Sequence, residues 1–199
     1  MSKTTIPTGG ITADAINGTL IADDAIDSEH YTDGSIDTAH IGDSQVTSAK
    51  TSGVGGVNTP AFLARLSSTT QSISDDTYTK IQFNTEVYDT ASAYDNSSNY
   101  RFTVPSGQAG KYFIYSAVRM ASSSATLTLN LKINNSNAGF SSLKAVSGEL
   151  QTITLMFSKD LSASDYLEIF LRQQSGGSLN ASGDSNDQTT YFGAFKIIE

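Results

Sequence analysis

Apolar residues recur at every fifth position through the start of the chain: Ile6, Ile11, Ile16, Ile21, Ile26, Tyr31, Ile36, Ile41 and Val46. This period restricts the fold more than any other feature. On an α-helix five residues turn about 500°, so successive isoleucines stand about 140° apart and scatter around the axis. In a flat strand an odd spacing sends alternate isoleucines to opposite faces. A thread that bends once per pentad keeps the row on one side. A single-chain solenoid would also want small apolar residues two before each centre. Those positions include Asp14, Asp24 and Glu29, which a dry interior rejects. One apolar residue in five offsets little chain entropy on its own. The row therefore predicts a shaft over residues 1–50 in which several copies share one axis. The plain alternative is a disordered acidic tail, which so strict a period disfavours.

Composition separates this segment from the rest. Residues 1–50 hold two cations, Lys3 and Lys50, against eight acids, a balance of −6. Beyond them, ten cations face twelve acids, and all but one of the Phe and Tyr residues lie there. Residues 51–59, Thr-Ser-Gly-Val-Gly-Gly-Val-Asn-Thr, read as a glycine-rich linker, and residues 60–199 as the part able to fold a core. An acidic chain without a basic stripe predicts no nucleic-acid partner. No apolar stretch approaches the roughly 18 residues that span a bilayer, so no membrane insertion is expected. The opening residues lack the apolar centre of a secretory signal, and a soluble chain is predicted.

After Pro60 short strands alternate with Ser, Gly, Asn and Asp clusters. Strands are predicted at 61–67, 78–84, 99–104, 111–120, 126–133, 139–145, 150–157, 166–173 and 189–198, with a short one near Val87. Leu127, Leu129, Leu131 and Ile133 face one way and Thr126, Thr128, Asn130 and Lys132 the other. Three strands are apolar on both faces. Tyr112, Ile114, Val118 and Met120 oppose Phe113, Tyr115 and Ala117; Leu167, Ile169 and Leu171 oppose Tyr166 and Phe170; Phe192 and Ala194 oppose Phe195 and Ile197. A second apolar face in a sandwich needs a cover, and copies of the same chain would supply one.

Several segments carry a resemblance. Pro60-Ala61-Phe62-Leu63-Ala64, Ile81-Gln82-Phe83-Asn84, Tyr100-Arg101-Phe102-Thr103-Val104-Pro105, Gly110-Lys111-Tyr112-Phe113-Ile114-Tyr115 and the closing Tyr191-Phe192-Gly193-Ala194-Phe195 lie in order over about 140 residues. The segment resembles the C1q-like head of the complement and tumour-necrosis-factor superfamily. That resemblance implies an all-β, ten-stranded jelly-roll sandwich that trimerises, with Phe113, Tyr115, Phe170 and Phe195 at the threefold interface. Decads such as Ala-Asp-Asp-Ala-Ile-Asp-Ser-Glu-His-Tyr are similar to repeats in structural and fibre proteins of tailed bacteriophages. In such a shaft Ile16, Ile21, Ile26, Tyr31, Ile36 and Ile41 meet their symmetry mates.

Catalysis finds no footing. There is no Gly-x-Ser-x-Gly elbow, no His-Glu-x-x-His and no phosphate-cradling glycine loop, and the only histidines are His30 and His40. The carboxylate pairs Asp89 with Asp95 and Asp184 with Asp187 sit among turn residues, where solvated loops explain them better than glycoside hydrolysis. No cofactor is expected. In a trimer His30 and His40 would each bring three imidazoles to one axis, a candidate metal site; surface histidines are the simpler reading. The polar stretch 174–188 is the candidate receptor loop at the far tip, through Ser175, Ser178, Asn180, Asp184, Asn186 and Asp187.

These readings converge on a non-enzymatic homotrimeric phage fibre, of tail or head, assembled in the host cytoplasm into the virion. Its N-terminus would hold other virion proteins and its knob a host glycan or outer-membrane protein. The alternatives are a capsid decoration or stabilising protein, and a bacterial adhesin or lectin-like module.

Overall fold

A computed structural model describes residues 6, 7, 9–12, 15, 19–21, 26, 29, 31–36, 38–42, 45, 46, 50, 58–67, 69–121, 124–184 and 189–197. The chain divides into two compact units, Met1–Val54 and Gly55–Glu199.

In the first unit the pentad spacing appears as turns. Gly10 N–H donates to the Pro7 carbonyl at 2.8 Å, Ala15 to Thr12 at 3.2 Å, Ser35 to Thr32 at 2.9 Å and Gln45 to Gly42 at 3.1 Å. Each acceptor follows an apolar position and each donor precedes the next one, so in these four intervals the chain bends between successive members of the row. A 3-10 turn covers Thr38–His40. Apart from the half-buried Ile21, the described apolar side chains of the row stay open to solvent within their own chain, from 40% exposed at Ile41 to 62% at Ile6.

The second unit is all-β among the described residues. Its strands are β1 (Ala61–Arg65), β2 (Thr70–Ile73), β3 (Thr79–Lys80), β4 (Thr85–Asp89), β5 (Tyr94–Asp95), β6 (Arg101–Thr103) and β7 (Gly110–Met120). Then follow β8 (Thr126–Ile133), β9 (Ser136–Lys144), β10 (Gln151–Leu161), β11 (Tyr166–Gln174), β12 (Leu179–Ser182) and β13 (Tyr191–Lys196). One sheet runs β2-β12-β7-β13-β1-β4, with β10 also paired to β7; the other runs β5-β6-β11-β8-β9, with β3 also paired to β11.

Alternation selects the core. Tyr112, Ile114, Val118 and Met120 of β7 are buried against Leu127, Leu129 and Leu131 of β8 and Leu167, Ile169 and Leu171 of β11. Phe62 lies at the centre of an aromatic cluster, 4.9 Å from Tyr94, 4.8 Å from Phe102 and 4.9 Å from Phe192. Such ring pairs contribute beyond the area they bury. Tyr94 Oη donates to the Phe83 carbonyl at 3.1 Å, which lets a phenol sit in this apolar setting.

Thirteen described strands exceed the ten expected. The hairpin β8–β9 closes on Asn134 and Asn135, both at positive φ (52° and 64°), as a two-residue type I′ turn requires. This starts β9 at Ser136 rather than 139. Strands β2, β5 and β12 lie where polar composition pointed to loops. In β12 only Leu179 and Ala181 are apolar, and both turn toward the core.

Candidate functional site

The outer face of the first sheet is apolar where a monomeric sandwich would be polar. β7 and β13 pair so that Tyr115 faces Gly193 and Phe113 faces Phe195, while Met156 of β10 stands opposite Tyr115. The ring centroids of Phe113 and Phe195 are 5.5 Å apart, those of Phe113 and Tyr115 6.0 Å, and those of Tyr115 and Tyr191 6.1 Å. From the β4 side Tyr88 brings its hydroxyl to 3.4 Å from that of Tyr115. Together with Met156, which is 66% exposed, these aromatic residues line a hollow of about 470 Å³. Burial first, and then the hydrogen bond to Tyr88, push the Tyr115 phenol well above its ordinary pKa. The hollow is lined by aromatic, aliphatic and hydroxyl side chains, with no carboxylate, imidazole or amine among them. It offers apolar area, which is an association surface.

Three residues expected at a symmetry interface, Phe113, Tyr115 and Phe195, thus share one patch. Phe170 does not join them. It projects from β11 on the other sheet, paired with Asn130 and Lys80, with Lys132 Nζ 4.1 Å and Lys80 Nζ 5.8 Å from its ring centre. The alternation along β11 is as expected, but an outward residue there points away from the first sheet. Tyr88, Met156 and Tyr191 complete the patch and were missed. Met156 carried a signal, since it alternates with the inward Ile153 and Leu155.

No protein family matches the chain, and no curated protein does. Solved structures are similar to it. Eiger TNF from S. frugiperda aligns with a TM-score of 0.53 at 16% identity, over 69% of this chain and 91% of that one. Murine APRIL aligns at 0.51 and 14% identity, over 69% and 99%. The globular domain of zebrafish complement 1qA protein aligns at 0.49 and 16% identity, over 69% and 97%. The fold is a TNF-like jelly roll. At these identities the likeness describes the path of the chain and carries no residue roles.

The expected receptor loop is shorter than its polar sequence suggested. Leu179–Ser182 forms β12, which pairs with β2 in register from Leu179↔Ile73 to Ser182↔Thr70, so Asn180 is a strand residue. Ser175 lies in a tightly held turn: its N–H and that of Gly176 donate to Asp75 Oδ1 at 2.9 and 3.0 Å, and Gln173 Nε2 donates to the Gly177 carbonyl at 2.6 Å. Ser178 is exposed beyond that turn. The Asp184 carbonyl accepts from Arg65 at 2.6 Å. Asn186 and Asp187 lie outside the described residues, as do Ile16 and His30.

Along the pentad row, Ile21 is half-buried, and Ile26, Tyr31, Ile36 and Ile41 are exposed. His40 ends the 3-10 turn with its side chain exposed. Among the described residues no three His, Asp or Glu side chains of one chain gather as a metal site. Asp89 and Asp95 are turn acceptors. Asp89 takes the N–H groups of Ala91 and Tyr94, at 3.1 and 2.8 Å. Asp95 takes those of Ser97, Ser98 and Asn99 and the Asn99 side chain. Those donors hold the Asp95 carboxyl well below the usual range. Both carboxylates hold the turns that follow them.

Proposed function

We propose that the protein is a homotrimeric attachment fibre of a tailed bacteriophage, with residues 1–50 as shaft and virion anchor and 60–199 as a jelly-roll knob presented to the host surface. The observation that carries this reading is the first sheet's outer patch of Tyr88, Phe113, Tyr115, Met156, Tyr191 and Phe195. So large an apolar face is costly in water, and a second and third copy of the chain would cover it. The pentad row supports the same assembly, since Ile6, Ile11, Ile26, Tyr31, Ile36, Ile41 and Val46 are exposed within one chain and stay available to partners. Trimerisation is also what the C1q/TNF resemblance implies, and the decad resemblance points to a tailed-phage particle. A non-enzymatic role fits a β domain without histidine. Three linked knobs make weak surface contacts effective by raising one another's local concentration.

Light scattering of the full chain tests the assembly. A trimer at micromolar concentration is the expected result, and a monomer would sink the reading. Particles assembled without the chain should then adsorb poorly to host cells. Normal adsorption with weakened capsids would instead make it a decoration protein.

A further inference from the structure

The second sheet's outer face gathers half of the domain's positive charge. Lys80, Arg101, Lys132, Lys144 and Arg172 all project from it, five of the ten cations beyond residue 50. Glu168 takes Lys80 at 2.5 Å, and Asp76 takes Arg172. Asp95, opposite Arg101, spends its oxygens on its own turn. Glu168 also stands opposite Lys132 across β11 and β8, but among the described residues no carboxylate forms an ion pair with Lys132 or Lys144.

Between those two lysines β8 and β9 carry aromatic and uncharged polar side chains, and the cations beside them, Lys80 and Arg172, are the ones already held by Glu168 and Asp76. Asn130 of β8 has Phe170 and Phe140 as its cross-strand neighbours, and Phe140 is 67% exposed. One row further, Thr128 and Ser142 join hydroxyls at 3.1 Å. Asn130 Nδ2 donates to Asn137 Oδ1 at 3.0 Å, whereas the buried Asn130 Oδ1 accepts nothing among the described residues. Lys144 pairs with Thr126, six residues along β8 from Lys132, a separation of about 20 Å.

We infer that this face binds an anionic polysaccharide carrying sparse carboxylates, of the uronic-acid type. Exposed aromatic rings stack on the apolar faces of sugar rings, hydroxyls and amides match sugar hydroxyls, and two well-separated lysines match well-separated acidic sugars. A nucleic acid presents a charge about every 3.4 Å of each strand and would want a denser basic row. The inference concerns the sheet opposite the proposed trimer contact and holds whether or not the chain trimerises.

Calorimetric titration of the full chain tests it with three probes: a hyaluronan oligomer, in which each uronic acid alternates with a neutral sugar, neutral maltoheptaose, and a single-stranded DNA of about 20 nucleotides as a densely charged polyanion. The hyaluronan oligomer should bind, and added salt should weaken it. Phe140→Ser should cost about fivefold in affinity at every salt concentration. The double change Lys132→Gln and Lys144→Gln should abolish most binding and flatten the salt dependence. Thermal unfolding checks that each variant folds, and Lys144→Gln alone, at an exposed position, keeps the test open if the double variant does not. Absent binding, equal binding of maltoheptaose, or DNA binding that ignores Phe140→Ser would each overturn the inference. So would a change of oligomeric state in Phe140→Ser, which would make the face a contact between copies. Light scattering reads the trimer separately, so failure of one proposal does not hide behind the other.

Discussion

The hydroxyl end of the Tyr115 ring lies over Gly193, so close that a Cβ on residue 193 would stand 2.5 Å from Tyr115 Cζ. The contact joins β7 to β13 across the face proposed to meet other copies. Because Phe113, Tyr191 and Phe195 crowd the same ring, it has little room to swing aside. Gly193→Ala should therefore push Tyr115 outward, destabilise the domain by about 1–2 kcal/mol through overpacking, and weaken self-association. Gly177→Ala, where a Cβ meets nothing within 4 Å, is the control. Equal association of the two variants in sedimentation would separate Tyr115 from the interface.

Met156 tests the same face without touching the core. Its side chain is largely exposed on β10, opposite Tyr115. Met156→Lys should leave unfolding of the isolated domain within about 0.5 kcal/mol of the parent, as surface changes do. It should shift the full chain from trimer to monomer in light scattering, because a desolvated, unpaired ammonium is costly at an apolar contact. A variant that still trimerises would place the interface elsewhere.

Gly183 is a demand of the fold itself. Its N–H donates to the Thr69 carbonyl at 3.1 Å, and a Cβ there would run into the backbone carbonyl of Ser67. Backbone cannot rotate away as a side chain can. Gly183→Ala should cost about 3 kcal/mol or more, read as a lowered urea midpoint, with the β2–β12 pairing lost first in hydrogen exchange.

Asp95 sets the acid limb of stability. The amides of Ser98 and Ser97 lower its pKa most, with Asn99 adding to them. A carboxyl depressed on folding stabilises the native state fully above its ordinary value near 3.8 and loses that contribution as pH falls below it. The parent should therefore lose stability below about pH 4. Asp95→Asn, whose amide nitrogen cannot accept these bonds, should be less stable at pH 7 by about 1 kcal/mol and show a flatter acid limb. Parallel curves for the two proteins would remove Asp95 from the account.

Much of the fold was legible because a strand announces its own two faces. Leu127, Leu129 and Leu131 alternate with polar residues, and the structure buries them; Phe113, Tyr115 and Phe195 were legible as a second apolar face for the same reason. β12 was not, because Leu179 and Ala181 are two apolar residues among glycine, serine and asparagine. Their strand exists through pairing with β2, more than a hundred residues away in sequence. The β8–β9 hairpin depends on two asparagines at positive φ, a local signal that alternation does not carry.

By itself the sequence determined the period-five turns, the break between an acidic repeat and an aromatic remainder, and the inward face of each long strand. These are local properties, fixed by side-chain spacing against backbone geometry. Only the tertiary structure decided which outward faces lie side by side. Alternation cannot say to which sheet a strand belongs, since that is set by long-range pairing and by burial of the opposite face. So Phe170, as apolar and as outward as Phe113, ended among Lys80, Lys132 and Asn130 on one sheet, while Tyr88 and Met156 joined Tyr115 on the other.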